Sequence, residues 1–544
     1  MSELNECCES VKPESDMTNE NKGKTTVEDA IITKKNVITS VFLLLLNCIL
    51  IPGVWKAIYF NVVDIPSLIF QLKVPLVGAD TSNFNSLFLW IFFGGIGGLV
   101  LEWWVIVFWR RQYRKRHSAD NPKGEPFLVC HRVPFSAFLM VAALVFIMVW
   151  LKVPQYLVLQ CTNSTFYEEK YVDPEQVAIT APEKKRNLIY IYVESMEGSF
   201  ADKEHGGISE DNLIPELTKL AAEGITFSSA DSNKLNGATQ ISGTSYTMGS
   251  LIAQTGGAPA ILPIKQNAMM VSDYKEFLPG LYTIGEVLRD NGYQLMFMMG
   301  SSIEFSGCDI YLRTHGGYEV RDHLYYLANG TLPKGYKVWW GYEDVKLFEY
   351  AKEEIMKLSS SDKPFCFNMM TMDTHFLDGY KCPLCKNEYE KQYCNVIACA
   401  SKQISDFIDW LREKPFFDNT TIVIVGDHPT MDSDFIYGLS GYSDEYERYS
   451  YLTILNSAIP YTLNKKRTFT QMDMYPTTLA AMGYAIEGNR LGIGVNLFSD
   501  LPTVLEEFGY DDLKRQLEMH SKFYDNYLMY RHRSGDDFLI NQSN

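Results

Sequence analysis

The stretch Thr421-Ile422-Val423-Ile424-Val425-Gly426-Asp427-His428 decides how this sequence is read. Thr421 to Val425 is a short apolar run in which no polar residue alternates with the aliphatic ones. A strand of that kind is buried on both faces. It stops at a glycine and then delivers a carboxylate and an imidazole. Two earlier runs end the same way. Leu188–Val193, polar only at the hydroxyls of Tyr190 and Tyr192, runs into Glu194, and Phe365–Met372 runs into Asp373 and His375. Helical patterns lie between the strands. Leu213, Leu217, Leu220 and Ala221 recur on one face, further helices are expected near Ile284–Leu288 and Ile404–Leu411, and Gln294–Met299 reads as another strand. Apolar strands alternating with helices predict a largely parallel sheet covered on both faces. In such sheets ligands gather beyond the carboxyl ends of the strands.

Three strands therefore bring polar groups to one edge. Glu194, Asp427 and His428 offer two oxygen donors and one nitrogen donor. Three protein ligands with an open position make a catalytic metal site, and mixed oxygen and nitrogen donors suit manganese, zinc or magnesium. Any one of these residues alone would more often be a cap or a satisfied polar group. Together they point to metal or acid–base chemistry. Hydroxyls are concentrated in Asn236-Gly237-Ala238-Thr239-Gln240-Ile241-Ser242-Gly243-Thr244-Ser245-Tyr246-Thr247, just before a helical segment, Met248–Gln254. A hydroxyl at a helix start gains from the helix dipole and from free N–H groups, although N-capping is the commoner use of Ser or Thr there. Composition leaves open which hydroxyl reacts.

Over 544 residues, 49 basic and 66 acidic side chains give a net charge of −17. Such a surface repels polyanions, which excludes nucleic acid as a partner. A phosphate substrate stays compatible, because a buried cation inverts the local field. Apolar runs crowd the region before residue 160, at Val37–Trp55, Leu87–Trp109 and Val133–Leu151. Each approaches the roughly 20 residues that a membrane helix needs. The second carries Trp103, Trp104 and Trp109 toward its end, as interfacial anchors do. The loop after it holds Arg110, Arg111, Arg114, Lys115, Arg116, Lys123 and Arg132 against Asp120 and Glu125. The positive-inside rule puts that loop and the N-terminus in the cytoplasm. The expected organisation is a disordered cytoplasmic tail over 1–35 and a three-helix transmembrane region over 36–152. A linker over 153–184 leads to an extracytoplasmic catalytic domain over 185–500, and a helical tail covers 501–544.

The ordered set Val193-Glu194-Ser195, Gly243-Thr244-Ser245, Trp340-Gly341-Tyr342-Glu343-Asp344, Thr371-Met372-Asp373-Thr374-His375, Gly426-Asp427-His428 and Asp473-Met474-Tyr475-Pro476-Thr477 resembles a known family. It is the phosphoglycerol transferase and lipoteichoic acid synthase-like branch of the alkaline phosphatase/sulfatase superfamily. The resemblance implies N-terminal transmembrane helices followed by an α/β domain, an alkaline-phosphatase-like sheet sandwiched between helices. It implies one divalent metal, usually manganese, held by Glu194, Asp427, His428 and Thr244. Thr244 is also the implied nucleophile, selected by the match of Gly243-Thr244-Ser245 to the family's Thr-Ser pair. His375 is implied at the substrate phosphate or the leaving group. The implied reaction moves phosphoglycerol from phosphatidylglycerol to a glycan or glycolipid acceptor through a phospho-threonine, in an enzyme of the bacterial cell membrane. One departure stands out. Cys308 occupies the place where lipoteichoic acid synthases have an arginine that grips glycerophosphate. A neutral thiol cannot replace a guanidinium fork, and Arg313 is the nearby cation expected to compensate.

Four of the eleven cysteines, Cys382, Cys385, Cys394 and Cys399, follow His375 closely. In an exported domain disulfides are expected, with three pairings open. The competing readings are phosphoethanolamine transfer, a sulfatase-like hydrolase, and a non-catalytic binding protein of the same fold. The formylglycine signature of sulfatases is missing near Thr244. A binding module has no need of Glu194, Thr244, Asp427 and His428 together.

Overall fold

The computed structural model describes residues 34–59, 64–73, 87–117, 126–127, 131–228, 234–235, 237–262, 275–443, 445–460 and 466–531. Residues 1–33 of the expected tail, Asp120, Lys123 and Glu125 of the basic loop, and 532–544 lie outside the described residues. The chain divides into two compact units, one of Met1–Ile49 with Phe93–Ala143 and one of Leu50–Phe92 with Leu144–Asn544.

Helix α1 spans Lys34–Tyr59, α2 Ile65–Lys73, α3 Gly95–His117 and α4 Arg132–Trp150. Two helical stretches, Leu87–Tyr113 of 27 residues and Arg132–Trp150 of 19, are long and apolar enough to cross a membrane. The apolar run of α1 is shorter, Val37–Gly53. Phe93, Trp104, Phe138 and Phe146 are exposed along these helices, a surface that suits hydrocarbon better than water. In the second unit α2 docks on the α/β domain. Phe70 is fully buried, its ring 4.6 Å from that of Tyr246 and 6.3 Å from that of Phe277. Ser67 Oγ lies 3.1 Å from Ser245 Oγ.

The α/β domain is built on six strands, β1 Asn187–Val193, β2 Gln294–Met299, β3 Glu319–Arg321, β4 Phe365–Met370, β5 Thr420–Gly426 and β6 Leu452–Leu455. Their order is β3-β2-β4-β1-β5-β6. All neighbours are parallel except β5 and β6. Alternation of side chains along β1 sends Leu188, Tyr190 and Tyr192 into one core and Ile189, Ile191 and Val193 into another, the period-two geometry of a strand with two covered faces. The second core is closed by helices α5 Pro215–Glu223, α8 Asp344–Ser359 and α9 Gln392–Arg412. Along α9, Val396, Ile397, Ala400, Ile404, Phe407, Ile408 and Leu411 recur at helical spacing and are buried. The first core takes helix α6 Thr247–Gly256 and helix α10 Met474–Ala481. Helix α7, Cys308–Thr314, follows β2. Each fully buried aliphatic side chain of these cores contributes about 1.5–3 kcal/mol.

Residues 153–184 differ from the expected linker. They carry helices at Val153–Gln160 and Phe166–Lys170, and they bury Tyr156, Phe166 and Tyr167. Ile179–Thr180 pairs antiparallel with Ala485–Ile486. Phe166 and Tyr167 are the reason, since they join the first core rather than face water. Helix α11, Tyr510–Glu518, packs Leu513 and Leu517 into the same core.

Candidate active site and metal centre

Register sets the site. Val193 of β1 pairs with Gly426 of β5, so the next residues, Glu194 and Asp427, leave the sheet side by side. Gly426 permits this, because a Cβ there would sit 1.7 Å from Met196 O. Ser195 follows in a left-handed conformation, φ 55°, which costs about 1–3 kcal/mol for a non-glycine residue. Its bonds offset that cost. Its N–H donates to Asp427 Oδ1 at 2.8 Å and its hydroxyl to Glu194 Oε1 at 2.7 Å.

Ligand atoms of Glu194, Asp427 and His428 lie within 4.8 Å of one another, and all three residues are buried. His428 Nε2 is 3.4 Å from Asp427 Oδ2 and 3.7 Å from Glu194 Oε1. Nδ1 of His428 is 3.0 Å from Pro429 O. A carbonyl only accepts, so Nδ1 carries the proton and Nε2 turns its lone pair to the carboxylates in the neutral ring. Asp427 Oδ1 takes two N–H bonds, from Ser195 and His428, whereas Oδ2 is buried with no hydrogen-bond partner. Burial, and then the charge of Glu194, push Asp427 up from 3.8 to about 7. Burial pulls His428 down, but Asp427 and Glu194 outweigh it and raise the imidazole. A buried pair of carboxylates with an orphaned oxygen and an aimed imidazole lone pair fits a divalent cation.

The sequence-selected hydroxyl is not the one at the trio. Thr244 Oγ1 donates to Ile241 O at 2.9 Å and accepts the Ile241 N–H at 3.1 Å, which closes a turn. Thr247 Oγ1 lies 3.5 Å from Glu194 Oε2 and 3.4 Å from His428 Nε2. The structure thus brings Thr247 Oγ1, three positions after the expected Thr244, to the trio. Tyr246 is extended, φ −149° and ψ 157°, and makes no side-chain cap. Thr247 thus opens α6, where N–H groups are unsatisfied and the dipole is positive. The signal available in the sequence was the helix start itself: Thr247 immediately precedes Met248–Gln254.

His375 stands on the loop after β4, which is tied to Glu194. Thr371 Oγ1 accepts the Glu194 N–H at 3.1 Å, and Thr374 Oγ1 donates to Glu194 O at 2.5 Å. The His375 ring packs 4.5 Å from Trp340 and 4.9 Å from Phe376, with Nδ1 on Phe376 O at 2.7 Å. Arg313 is not brought to the trio. It lies on α7 with 64% of its side chain exposed, and its nearest acid is Asp309 at 3.9 Å. Cys308, at the start of α7, is buried.

Other residues hold the site, and of these Asp373 was expected at the sheet edge whereas Glu197, Arg448 and Gln471 were not. Asp344 accepts the N–H groups of Met372 and Asp373 at 2.8 and 3.0 Å, and donates its own N–H to Asp373 Oδ1 at 3.2 Å. Burial raises both carboxyls, and the charge of Asp344 raises Asp373 further. Behind the Gly426–His428 segment, buried Glu197 accepts the Thr430 N–H at 3.0 Å and an Arg448 Nε bond at 2.8 Å. Gln471 donates to Asp427 O.

The fold and the trio together define an α/β protein with a carboxylate–imidazole metal-type centre. Residues 186–484 match the family called Sulfatase, more than half of the chain, and the chain belongs to that family, within the alkaline phosphatase/sulfatase superfamily. Phosphoglycerol transferase I of Salmonella paratyphi B is 31% identical over 268 residues, 48% of this chain and 33% of that protein. The protein of the same name from Escherichia coli O127:H6 is 31% identical over 272 residues, with the same shares. The aligned region thus spans 33% of the length of these relatives. The crystal structure of the lipoteichoic acid synthase LtaP from Listeria monocytogenes aligns with a TM-score of 0.46 at 14% identity, over 62% of this chain and 82% of that one.

Proposed function

We propose that this chain is a membrane-anchored enzyme that transfers phosphoglycerol from phosphatidylglycerol to a glycan or glycolipid acceptor, through a covalent phospho-threonine at Thr247. The observation that carries the reading is the hydroxyl of Thr247 at the mouth of α6, within 3.5 Å of both Glu194 and His428. A divalent cation bound by Glu194, Asp427 and His428, manganese first and zinc or magnesium as alternatives, would lower the pKa of a hydroxyl and neutralise phosphoryl charge. In the first displacement Thr247 Oγ1 bonds to phosphorus while the bond from phosphorus to the diacylglycerol oxygen breaks. The Thr247 proton leaves on the side of Glu194 Oε2, 3.5 Å away. The departing alkoxide takes a proton, and His375, with Nδ1 held by Phe376 O, is the proposed donor. In the second displacement an acceptor hydroxyl bonds to phosphorus and Thr247 leaves, regaining its proton. Splitting one transfer into two steps in this way is the benefit of covalent catalysis. The N–H groups at the start of α6 favour the negative phosphoryl oxygens throughout.

The proposed setting is a bacterial cell membrane crossed three times, with the N-terminus cytoplasmic and the catalytic domain outside. Two helices of membrane-spanning length, and Arg110, Arg111, Lys115 and Arg116 at the end of α3, support that orientation. An anchored domain stays close to a lipid donor.

The test uses the full chain in detergent with manganese and fluorescent phosphatidylglycerol. Diacylglycerol release, with a glycerophosphate adduct on the peptide bearing Thr247, is the expected result. Release from phosphatidylethanolamine instead would move the assignment to phosphoethanolamine transfer. Neither reaction from folded, manganese-loaded protein would favour a binding protein.

A further inference from the structure

Away from the Thr247 site, three sulfurs converge beneath the loop that carries His375. Cys382 Sγ lies 3.5 Å from Cys385 Sγ and 3.6 Å from Cys399 Sγ, and all three lie within 4.8 Å of one another. Cys382 and Cys385 belong to the segment after β4, and Cys399 to α9. Cys394, five residues earlier on that helix, is not in the group.

We infer that Cys382, Cys385 and Cys399 form a second cation site, for a soft divalent ion such as zinc, that staples the His375 loop to helix α9. Four observations carry it. The first is number, since a disulfide engages two sulfurs and would leave a third buried thiol pressed against it. The second is spacing. A tetrahedral zinc with bonds of about 2.3 Å sets sulfur–sulfur edges near 3.8 Å, and two edges here are 3.5 and 3.6 Å. The third is the Cys-x-x-Cys turn, in which the Cys385 N–H donates to Cys382 O at 3.0 Å. The fourth is Gln403, whose Nε2 lies 3.4 Å from Cys399 Sγ and 3.8 Å from Cys382 Sγ. N–H donors aimed at sulfur stabilise thiolate, the form that binds metal. The sulfurs fill three of four tetrahedral positions. Solvent, or the Gln403 amide oxygen after a half-turn of its amide group, completes the fourth.

Function follows from what is joined. The loop from Thr371 to Glu388 leaves β4, contacts Glu194, carries His375 and is tied back where the Tyr380 N–H donates to Asp373 O at 2.7 Å. A cation at the cysteines fixes the far end of this loop to a helix buried along its length, so the ion positions His375 without touching substrate. The inference does not depend on which phospholipid is the donor.

The experiment titrates cobalt(II) into the full chain, purified in detergent with its thiols reduced. Sulfur-to-cobalt charge-transfer absorption in the near ultraviolet, saturating at one equivalent and erased by zinc, is the expected result. Glu194, Asp427 and His428 hold no sulfur, so Asp427→Asn keeps the band while Cys382→Ser and Cys399→Ser lose it. If a serine variant fails to fold, alkylation of the unaltered chain decides: three cysteines protected by zinc and labelled after chelation support the site. Absence of the band, labelling indifferent to zinc, or a mass spectrum showing two of the three cysteines joined before any treatment would overturn it.

Discussion

The hydroxyl of Thr247 lies 3.4 Å from Nε2 of His428, although 181 positions separate them in the chain. Thr244, one helical turn earlier in sequence, instead spends both of its hydrogen-bonding capacities on Ile241. The two threonines thus have separable roles. Thr247→Ala is expected to lower turnover by roughly a thousandfold or more, as loss of a nucleophile does. Thr244→Ala should retain most activity and instead cost about 1–3 kcal/mol, because the buried Ile241 N–H loses its partner. Parallel turnover and thermal-melt measurements distinguish them, and the reverse pattern would restore Thr244 as nucleophile.

Arg313 is the second place where sequence proximity misleads. With most of its side chain in solvent and Asp309 its one ion-pair partner among the described residues, its replacement by alanine is expected to change stability by less than about 0.5 kcal/mol. KM for the lipid donor should stay within about twofold. A large rise in KM would show that the arginine reaches substrate after all.

Phe70 reports on the docked helix α2. Removing a fully buried phenylalanine costs about 3–5 kcal/mol, and its contacts are Tyr246 and Phe277. Tyr246 directly precedes Thr247. Phe70→Ala should therefore lower the melting temperature and slow turnover together, while Phe70→Leu recovers most of both. Turnover unchanged in a destabilised Phe70→Ala protein would mean that α2 does not position the hydroxyl.

Asp473 supplies a pH dependence distinct from the trio. Burial pushes its carboxyl from 3.8 to about 6, against the pull of N–H groups from Thr470 and Val495. The folded chain holds this proton more tightly than the unfolded chain. Its contribution to stability is therefore highest at low pH and falls as pH rises from about 4 to about 6. A difference of about two pH units amounts to about 3 kcal/mol. Asp473→Asn imitates the protonated acid, so its destabilisation should shrink between pH 4.5 and pH 7. Denaturant unfolding at the two values checks the sign, and a growing penalty would contradict it.

Much of the fold was legible because it depends on local chemistry and a general rule. The runs at Leu188, Phe365 and Thr421 are apolar on both faces, which only a covered parallel sheet satisfies, and β1, β4 and β5 lie adjacent in it. The trio followed from the same reading, since Glu194 and Asp427 directly follow paired strand residues. Residues 153–184 read as a linker because mixed polarity hides Phe166 and Tyr167, whose burial depends on a core assembled from distant segments.

The sequence by itself determined four of the six strands, their shared edge, and the two carboxylates and one imidazole delivered there, because each is written in a contiguous run. Only the tertiary structure decided which hydroxyl joins them, where Arg313 points, and that three of four clustered cysteines meet. Those outcomes rest on side-chain direction. Direction is set by one extended residue, Tyr246, by the start of a helix, and by contacts between residues far apart in the chain, none of which a short motif records.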